Sequence, residues 1–187
     1  MTLPKLLGLS GALRSGSTNR KLLREAARLF GDCSYVEADL KLPLYDGDEE
    51  DVHGIPATVQ RLADQIAEAD AVIISTPEYN KGITGALKNA LDWISRTKGG
   101  PWNGKPVATM SAAAGRAGGE RGQVMLRDCL VPFRPRLVLG PEIALADSSN
   151  QFDEQGHRTS ELSKQNLGLL MQLLRAELTD QAAAYRT

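Results

Sequence analysis

The stretch Ala71-Val-Ile-Ile-Ser75 would be apolar on both faces if it were extended. A strand of this kind must be covered on both sides, which is typical of the centre of a parallel sheet. Residues 6–10 and 106–110 are further short strand candidates, and each precedes a loop and then a helical pattern. This alternation of strands and helices predicts an α/β domain with helices on both faces of the sheet.

The rest of the chain follows the same order. The predicted strands lie at residues 6–10, 33–36, 71–75, 106–110 and 137–139, the last broken at Gly140-Pro141 and resuming over 143–145. The predicted helices lie at residues 17–30, 58–69, 84–95, 123–130 and 160–184. Residues 39–56 are predicted to be irregular, with the acidic run 48–51 as a solvated loop.

The length of 187 residues suits one domain. We therefore expect a single three-layer α/β/α domain over residues 1–187. Its core would be a doubly wound, five-stranded parallel sheet with right-handed crossovers.

Charge and cysteine content argue against several classes of partner. The formal net charge of -1 gives no electrostatic reason to expect nucleic acid or an anionic membrane as partner. No apolar run approaches the ~20 residues that cross a bilayer, so we expect no membrane insertion. Cys33 and Cys129 form no CxxC pair, and His53 and His157 have no ligand partners at suitable spacing, so we expect no metal site. With no secretory signature, we expect two reduced thiols in a cytoplasmic protein.

Three loops, at residues 10–19, 76–83 and 111–119, each follow a predicted strand and are rich in Gly and small polar residues. Ligands of doubly wound sheets bind beyond the carboxyl ends of the strands. Since parallel strands end at the same edge of the sheet, we expect the three loops to form one site.

The first loop has the chemistry of a phosphate site. It leads into a predicted helix, whose N-terminus offers unpaired N–H groups and the positive end of a dipole. Gly11 and Gly16 would let the backbone approach an anion closely. Hydroxyl, amide and guanidinium donors are dense here, at Ser10, Arg14, Ser15, Ser17, Thr18 and Asn19. The simpler interpretation is a plain strand-to-helix turn with a serine cap, but so many donors exceed what a cap requires.

The identity of the anion is a separate question. The GxGxxG fingerprint of dinucleotide-binding folds is absent. A nucleotide P-loop is nearly imitated by Gly11, four residues, Gly16 and then Ser17-Thr18, but the lysine that should precede the hydroxyl residue is missing. An NTPase of that type is therefore disfavoured.

The motifs together resemble the NADPH-dependent FMN reductase family, which includes bacterial soluble quinone and chromate reductases. The first match is the phosphate loop, residues 8–19 (GLSGALRSGSTN). The second is Ser75-Thr-Pro-Glu-Tyr-Asn80, followed by the segment 82–93. The third is the segment 111–122, and a weaker fourth is Phe152-Asp-Glu-Gln-Gly156. These segments cover nearly the whole chain and occur in the order found in the family.

This resemblance implies a flavodoxin-like fold with non-covalently bound FMN and with NADPH or NADH as co-substrate. It implies cofactor-binding residues on all three loops. Around the phosphate they are Ser10, Arg14, Ser17, Thr18 and Asn19. Along the isoalloxazine and ribityl they are Pro77, Glu78, Tyr79 and Asn80, and near the other edge of the flavin they are Ser111 and Gly115. The resemblance also implies a homodimer or homotetramer with the site near a subunit boundary.

Two charged side chains in these loops have two interpretations each. Glu78 either contacts the flavin or is a carboxylate bound to backbone at a loop or helix terminus. Arg116 either meets a phosphate of a dinucleotide that stacks on the open third loop, or is solvated. We predict no protein acid, base or nucleophile, because the flavin performs the redox chemistry.

The expected activity is that of an FMN-dependent NAD(P)H:acceptor oxidoreductase. NAD(P)H would pass a hydride to the flavin, and a small-molecule acceptor such as a quinone, ferric complex or chromate would then take the electrons. One shallow site that serves both substrates in turn predicts ping-pong kinetics. Two alternatives stay open: a flavodoxin-like electron-carrier protein, which the open third loop argues against, and an FMN-free binding module that kept the fold.

Overall fold

The computed structural model describes residues 2–184, with side chains described through Leu178. Its strands are β1 (Lys5–Ser10), β2 (Ser34–Ala38), β3 (Ala71–Thr76), β4 (Pro106–Ala112), β5 (Arg136–Leu137) and β6 (Ala144–Leu145). Its α-helices are α1 (Thr18–Phe30), α2 (Gly47–His53), α3 (Ala57–Glu68), α4 (Gly85–Arg96), α5 (Glu120–Leu130) and α6 (Glu161–Ala184). Most of these bounds agree with the predicted ones to within one or two residues.

All neighbouring strands are parallel, in the order β2-β1-β3-β4-β5. The fifth position is shared, because β5 pairs with the start of β4 and β6 pairs with its end. Between them the chain leaves the sheet near Gly140, so the predicted interruption of the last strand is confirmed. The order of the strands reverses between β1 and β3, and ligands of such sheets bind at this point.

The central strand β3 divides the core into two halves. Val72 and Ile74 pack into the cluster that contains α3 and α4, whereas Ala71 and Ile73 pack into the cluster that contains α1 and α6. All four side chains are fully buried. Each buried valine or isoleucine contributes about 1.5–3 kcal/mol, so this strand anchors the three predicted layers.

The prediction that residues 39–56 are irregular was wrong for part of the segment. The acidic run 48–51 lies in α2, whose preceding residue Asp46 accepts a hydrogen bond from the N–H of Asp48 at 2.9 Å. Carboxylates in a first helical turn interact favourably with the helix dipole. α2 buries none of its residues, so the sequence has no apolar period there to reveal it.

Trp93 and Trp102 are both buried in the core. Cys33 and Cys129 are unpaired and partly buried. The side chains that the structure describes, through Leu178, contain no group of His, Cys, Asp or Glu that could hold a metal ion. Over residues 2–184, no helix is both long and apolar enough to cross a bilayer.

Candidate active site

The carboxyl ends of the strands open into one cleft of about 360 Å³. It is lined by all three predicted loops and by a fourth, which follows β6. The lining residues are Ala12, Arg14, Ser17, Thr18, Asn19, Pro77, Glu78, Tyr79, Ala112, Ala113, Ala114, Gly115, Ser148 and Ser149. Eight of the eleven candidate residues are therefore brought together here, and Ser10, Asn80 and Ser111 are not among the lining residues.

The first loop presents unused donors at the start of α1. The hydroxyl of Ser17 caps the helix by accepting a hydrogen bond from the N–H of Asn19 at 3.2 Å. The N–H groups of Gly16 and Thr18 donate to no acceptor among the residues that the structure describes. Arg14 is exposed, and its guanidinium forms no ion pair or hydrogen bond with any described residue. This end of the cleft thus offers a fixed charge and N–H groups to an anion.

Asn19 joins three elements through its side chain. Its Nδ2 donates to the carbonyl of Ala112 at 2.8 Å, and its Oδ1 accepts from the N–H of Ala112 at 3.0 Å and from Oγ of Ser75 at 2.8 Å. Asn19 is 2% exposed. The amide therefore holds the start of α1 against the ends of β3 and β4, and its main effect on the cleft is to fix the relative positions of the loops.

Ser10 and Ser111 shape the loops from within. The hydroxyl of Ser10 donates to the carbonyl of Ala12 at 3.0 Å, which closes the turn after β1. The hydroxyl of Ser111 donates to the carbonyl of Gly118 at 2.7 Å and accepts from Nε2 of Gln123 at 2.8 Å. Both serines are buried. Direct contact of either hydroxyl with a cofactor stays a prediction.

The second loop is a tight turn that follows β3. Tyr79 and Gly82 exchange two backbone hydrogen bonds, of 3.0 and 3.1 Å. Asn80 and Lys81 occupy the tip with φ angles of 50° and 72°, a conformation that asparagine tolerates well and lysine less well. Asn80 is exposed at this tip, whereas Tyr79 lines the cleft with 57% of its surface exposed.

Glu78 connects the second loop to α5. Its Oε2 accepts hydrogen bonds from the N–H groups of Arg121 at 3.1 Å and Gly122 at 3.4 Å, in the first turn of the helix. Of the two interpretations of Glu78, the structure favours a carboxylate bound to backbone. α5 begins at Glu120, three residues before its predicted start, and the residue before it has no capping side chain. Glu78 supplies the missing acceptors from a different loop.

The third loop combines close packing with an open surface. Gly118 has a φ of 63°, and a Cβ there would lie 2.4 Å from the carbonyl carbon and oxygen of Ala144. The loop is thereby pressed against β6. Ala113, Ala114 and Gly115 line the cleft with small side chains, which leaves a shelf of low relief beside the first loop.

The fourth loop was not predicted to take part in the site. It brings Ser148 and Ser149 into the cleft, because β6 pairs in parallel with the end of β4 and so ends at the same edge. The polar run Ser148-Ser149-Asn150 directly after a strand was a usable signal. It was missed because the interrupted strand before it is so short.

The family model described as NADPH-dependent FMN reductase matches residues 4–150 of the chain. The chain belongs to this family. The reductase is 42% identical over 176 residues to an NAD(P)H-dependent FMN reductase of Pseudomonas aeruginosa, with 92% of each protein covered. It is 40% identical over 154 residues to a quinone reductase of Escherichia coli, with 81% and 82% covered.

Solved structures agree with this assignment. The flavoenzyme NAD(P)H:(acceptor) oxidoreductase FerB of Paracoccus denitrificans superimposes with a TM-score of 0.85 at 28% identity, covering 95% of the reductase and 98% of FerB. The predicted family, flavodoxin-like fold, enzyme class and cofactor are thus confirmed. The reductase is an FMN-dependent oxidoreductase that uses NAD(P)H.

The donor set of the cleft fits FMN. Around the start of α1, the cleft has the guanidinium of Arg14, unused N–H groups, and the hydroxyls of Ser17 and Thr18. The same cleft is also lined by small side chains of the third loop and by the aromatic ring of Tyr79. A charged group at one end and a flat, largely apolar group at the other is the chemistry of a flavin mononucleotide. A ligand pocket of this kind combines apolar walls with a few placed polar groups.

Proposed function

We propose that the enzyme reduces quinones, with NAD(P)H and the quinone using one site in turn. The observation that carries this proposal is the shelf of Ala113, Ala114 and Gly115, which opens into the same cleft as the phosphate-binding end. A flat substrate needs such a surface, and the cleft offers one place for two substrates. Relatives named as quinone reductases, in Escherichia coli and in Burkholderia, support this acceptor class. Ferric complexes and chromate are acceptors to be tested beside quinones.

The chain would hold the cofactor by its ends. Arg14, Ser17, Thr18 and the N-terminus of α1 would bind the phosphate, while the backbone of the second loop and the shelf of the third loop would bind the ring. When bound, FMN supplies the two-electron redox chemistry. The protein contributes binding, orientation and exclusion of water.

No side chain of the cleft is proposed as an acid or base. The carboxylate of Glu78 is occupied by the two N–H groups of α5, and the exposed ring of Tyr79 lies at the mouth. We propose that Tyr79 packs against the flat substrate. Arg116 is exposed on the third loop, where a phosphate of the nicotinamide dinucleotide would meet it.

Stopped-flow absorbance tests the function. The purified protein, loaded with FMN, is mixed with NADPH or NADH without an acceptor, and a benzoquinone is added in a second mix. We expect the visible flavin absorption to bleach and then to return, and initial rates to give the parallel double-reciprocal plots of a ping-pong order. Absence of bleaching over minutes would point to the electron carrier. A protein that stays colourless after incubation with FMN would point to the FMN-free module.

We further propose that the enzyme is a single-domain homodimer or homotetramer of the cytoplasm. Leu139, Leu162 and Leu169 are large apolar side chains with exposures of 84%, 68% and 46%, which another subunit would cover. The unpaired Cys33 and Cys129 suit a reducing compartment. Light scattering after size-exclusion chromatography measures the mass directly, and a monomer at micromolar concentration would contradict the oligomer.

A further inference from the structure

We propose that Ser148 is a further cofactor-binding residue, which acts with Thr18 on the phosphate of FMN. The proposal rests on the proposed function, because it requires the phosphate to lie at the start of α1. Ser148 belongs to none of the four motifs on which the resemblance was recognised, and lies between the third and the weaker fourth, within the stretch that the family model matches as a whole. The juxtaposition of two hydroxyls from distant parts of the chain carries the inference.

The two hydroxyls meet at the phosphate end of the cleft. Oγ of Ser148 lies 3.0 Å from Oγ1 of Thr18, although 130 residues separate them. Thr18 is the first residue of α1, and both residues line the cleft. Ser148 therefore stands beside the unused N–H groups and the positive dipole end of that helix.

The two hydroxyls together have two hydrogens, and their mutual hydrogen bond uses only one of them. A hydroxyl has a single hydrogen, so one of the two groups donates to the other, and the accepting group keeps its own hydrogen. Neither hydroxyl has another hydrogen-bond partner among the described residues. Ser148 is 4% exposed and Thr18 is partly buried, so water has limited access to the pair. Whichever hydroxyl accepts within the pair has a hydrogen to donate into the cleft, and an oxygen of the phosphate would accept it.

The fourth loop is fixed in the position that this contact needs. The N–H of Ala113 donates to the carbonyl of Leu145 at 3.0 Å, and the N–H of Ser148 donates to the carbonyl of Ala113 at 3.2 Å. These bonds fasten the loop to the end of β4. Asp147 adopts the left-handed conformation with a φ of 45°, and its carboxylate accepts two hydrogen bonds of 3.1 Å from Nδ2 of Asn150. The turn directly before Ser148 is thus held in an uncommon conformation.

The test compares two flavins that differ by the phosphate. Dissociation constants for FMN and for riboflavin are measured by fluorescence quenching on the apoproteins of wild type, Ser148→Ala and Ser34→Ala. Ser34 is an exposed serine on β2, far from the cleft, and serves as the matched control. For Ser148→Ala we expect Kd for FMN to rise about tenfold, which corresponds to about 1.4 kcal/mol, and Kd for riboflavin to stay within about twofold.

Two further variants make the result specific. Ser148→Thr keeps a hydroxyl and is expected to restore most of the discrimination between FMN and riboflavin. In a double-mutant cycle, Thr18→Val and Ser148→Ala are expected to be non-additive for FMN, because the two hydroxyls share one contact. Additive losses would overturn the joint role.

Other outcomes also decide the matter. If Ser148→Ala weakens FMN and riboflavin equally, or lowers only the Tm of the apoprotein, then Ser148 is a structural residue and the proposal fails. If wild type itself binds both flavins equally well, then the phosphate site of the proposed function is wrong, and this inference falls with it. If wild type discriminates and Ser148→Ala discriminates as well, only the inference fails.

Discussion

At the end of the cleft that we propose to bind the phosphate, Arg14 and two N–H groups around the start of α1 have no partner within the described part of the chain. At the proposed ring end, Glu78 is bonded to the first turn of α5, and Ser111, which supports the third loop from within, is bonded to Gly118 and Gln123. The two ends of one site are thus built in opposite ways. The first keeps the guanidinium of Arg14 and two N–H groups available, and the second uses Glu78 and Ser111 to fix the shape of its loops.

The ligand explains this difference. A phosphate is charged and must exchange its water for protein donors, so donors that need no rearrangement favour binding. A flat ring gains mainly from contact area and exclusion of water, so the position of the backbone matters more than side-chain chemistry. Substitutions at the ring end should therefore act on stability and shape, and substitutions at the phosphate end on affinity.

The largest effect is expected for Gly118→Ala at the ring end. The positive φ and the 2.4 Å approach to Ala144 leave no room for a Cβ. We expect a loss of about 2–5 kcal/mol in the free energy of unfolding, measured by urea denaturation. The control is Gly115→Ala in the same loop, where a Cβ would meet no atom within 4 Å and the change should stay within about 0.5 kcal/mol. Equal stabilities of the two variants would contradict close packing of the third loop.

Arg14→Ala tests the phosphate end. We expect FMN binding to weaken by about 1.5–3 kcal/mol, because a charge-assisted contact is lost, while the unfolding free energy changes little. Riboflavin binding should be nearly unaffected. The control is Arg134→Ala, which removes an exposed arginine without a described side-chain partner, outside the cleft lining. An unchanged Kd for FMN would remove Arg14 from the site.

Glu78→Ala removes the link between the second loop and α5. We expect a loss of about 1 kcal/mol in unfolding free energy, since two N–H groups at a helix N-terminus lose their acceptor. KM for the quinone should rise more than Kd for FMN. Glu120→Ala is the matched control, because Glu120 is an exposed acid in the same turn whose carboxylate has no described bond. If both variants behave alike, the link does not shape the ring end.

The smallest effect is expected for Arg116→Ala. An exposed charge contributes about 0.2–1 kcal/mol, so KM for NADPH should rise by about fivefold at most. The rise should shrink as salt is added, because screening weakens exposed ion pairs. An unchanged KM at low ionic strength would mean that Arg116 is solvated, which is the second interpretation of this residue.

Local signals explain what the sequence predicted well. The capping residue Ser17 fixes the start of α1, and the doubly apolar strand β3 requires cover on both faces. The last strand is interrupted near Gly140 because glycine and proline disfavour a continuous strand. α2 was not predicted because its local signals, the cap Asp46 and an acidic first turn, are not accompanied by a buried apolar face.

The sequence by itself determined the layers, the order of the strands and helices, and the three loops at the strand ends, because periodicity, caps and turn residues act over a few positions. Only the tertiary structure decided which polar groups stay available in the cleft. Glu78 accepts a hydrogen bond from a residue 43 positions away, and the amide of Asn19 donates to one 93 positions away. The hydroxyl of Ser148 contacts that of a residue 130 positions away. Hydrogen-bond partners at such separations depend on how the strands pair, so no local sequence pattern predicts them.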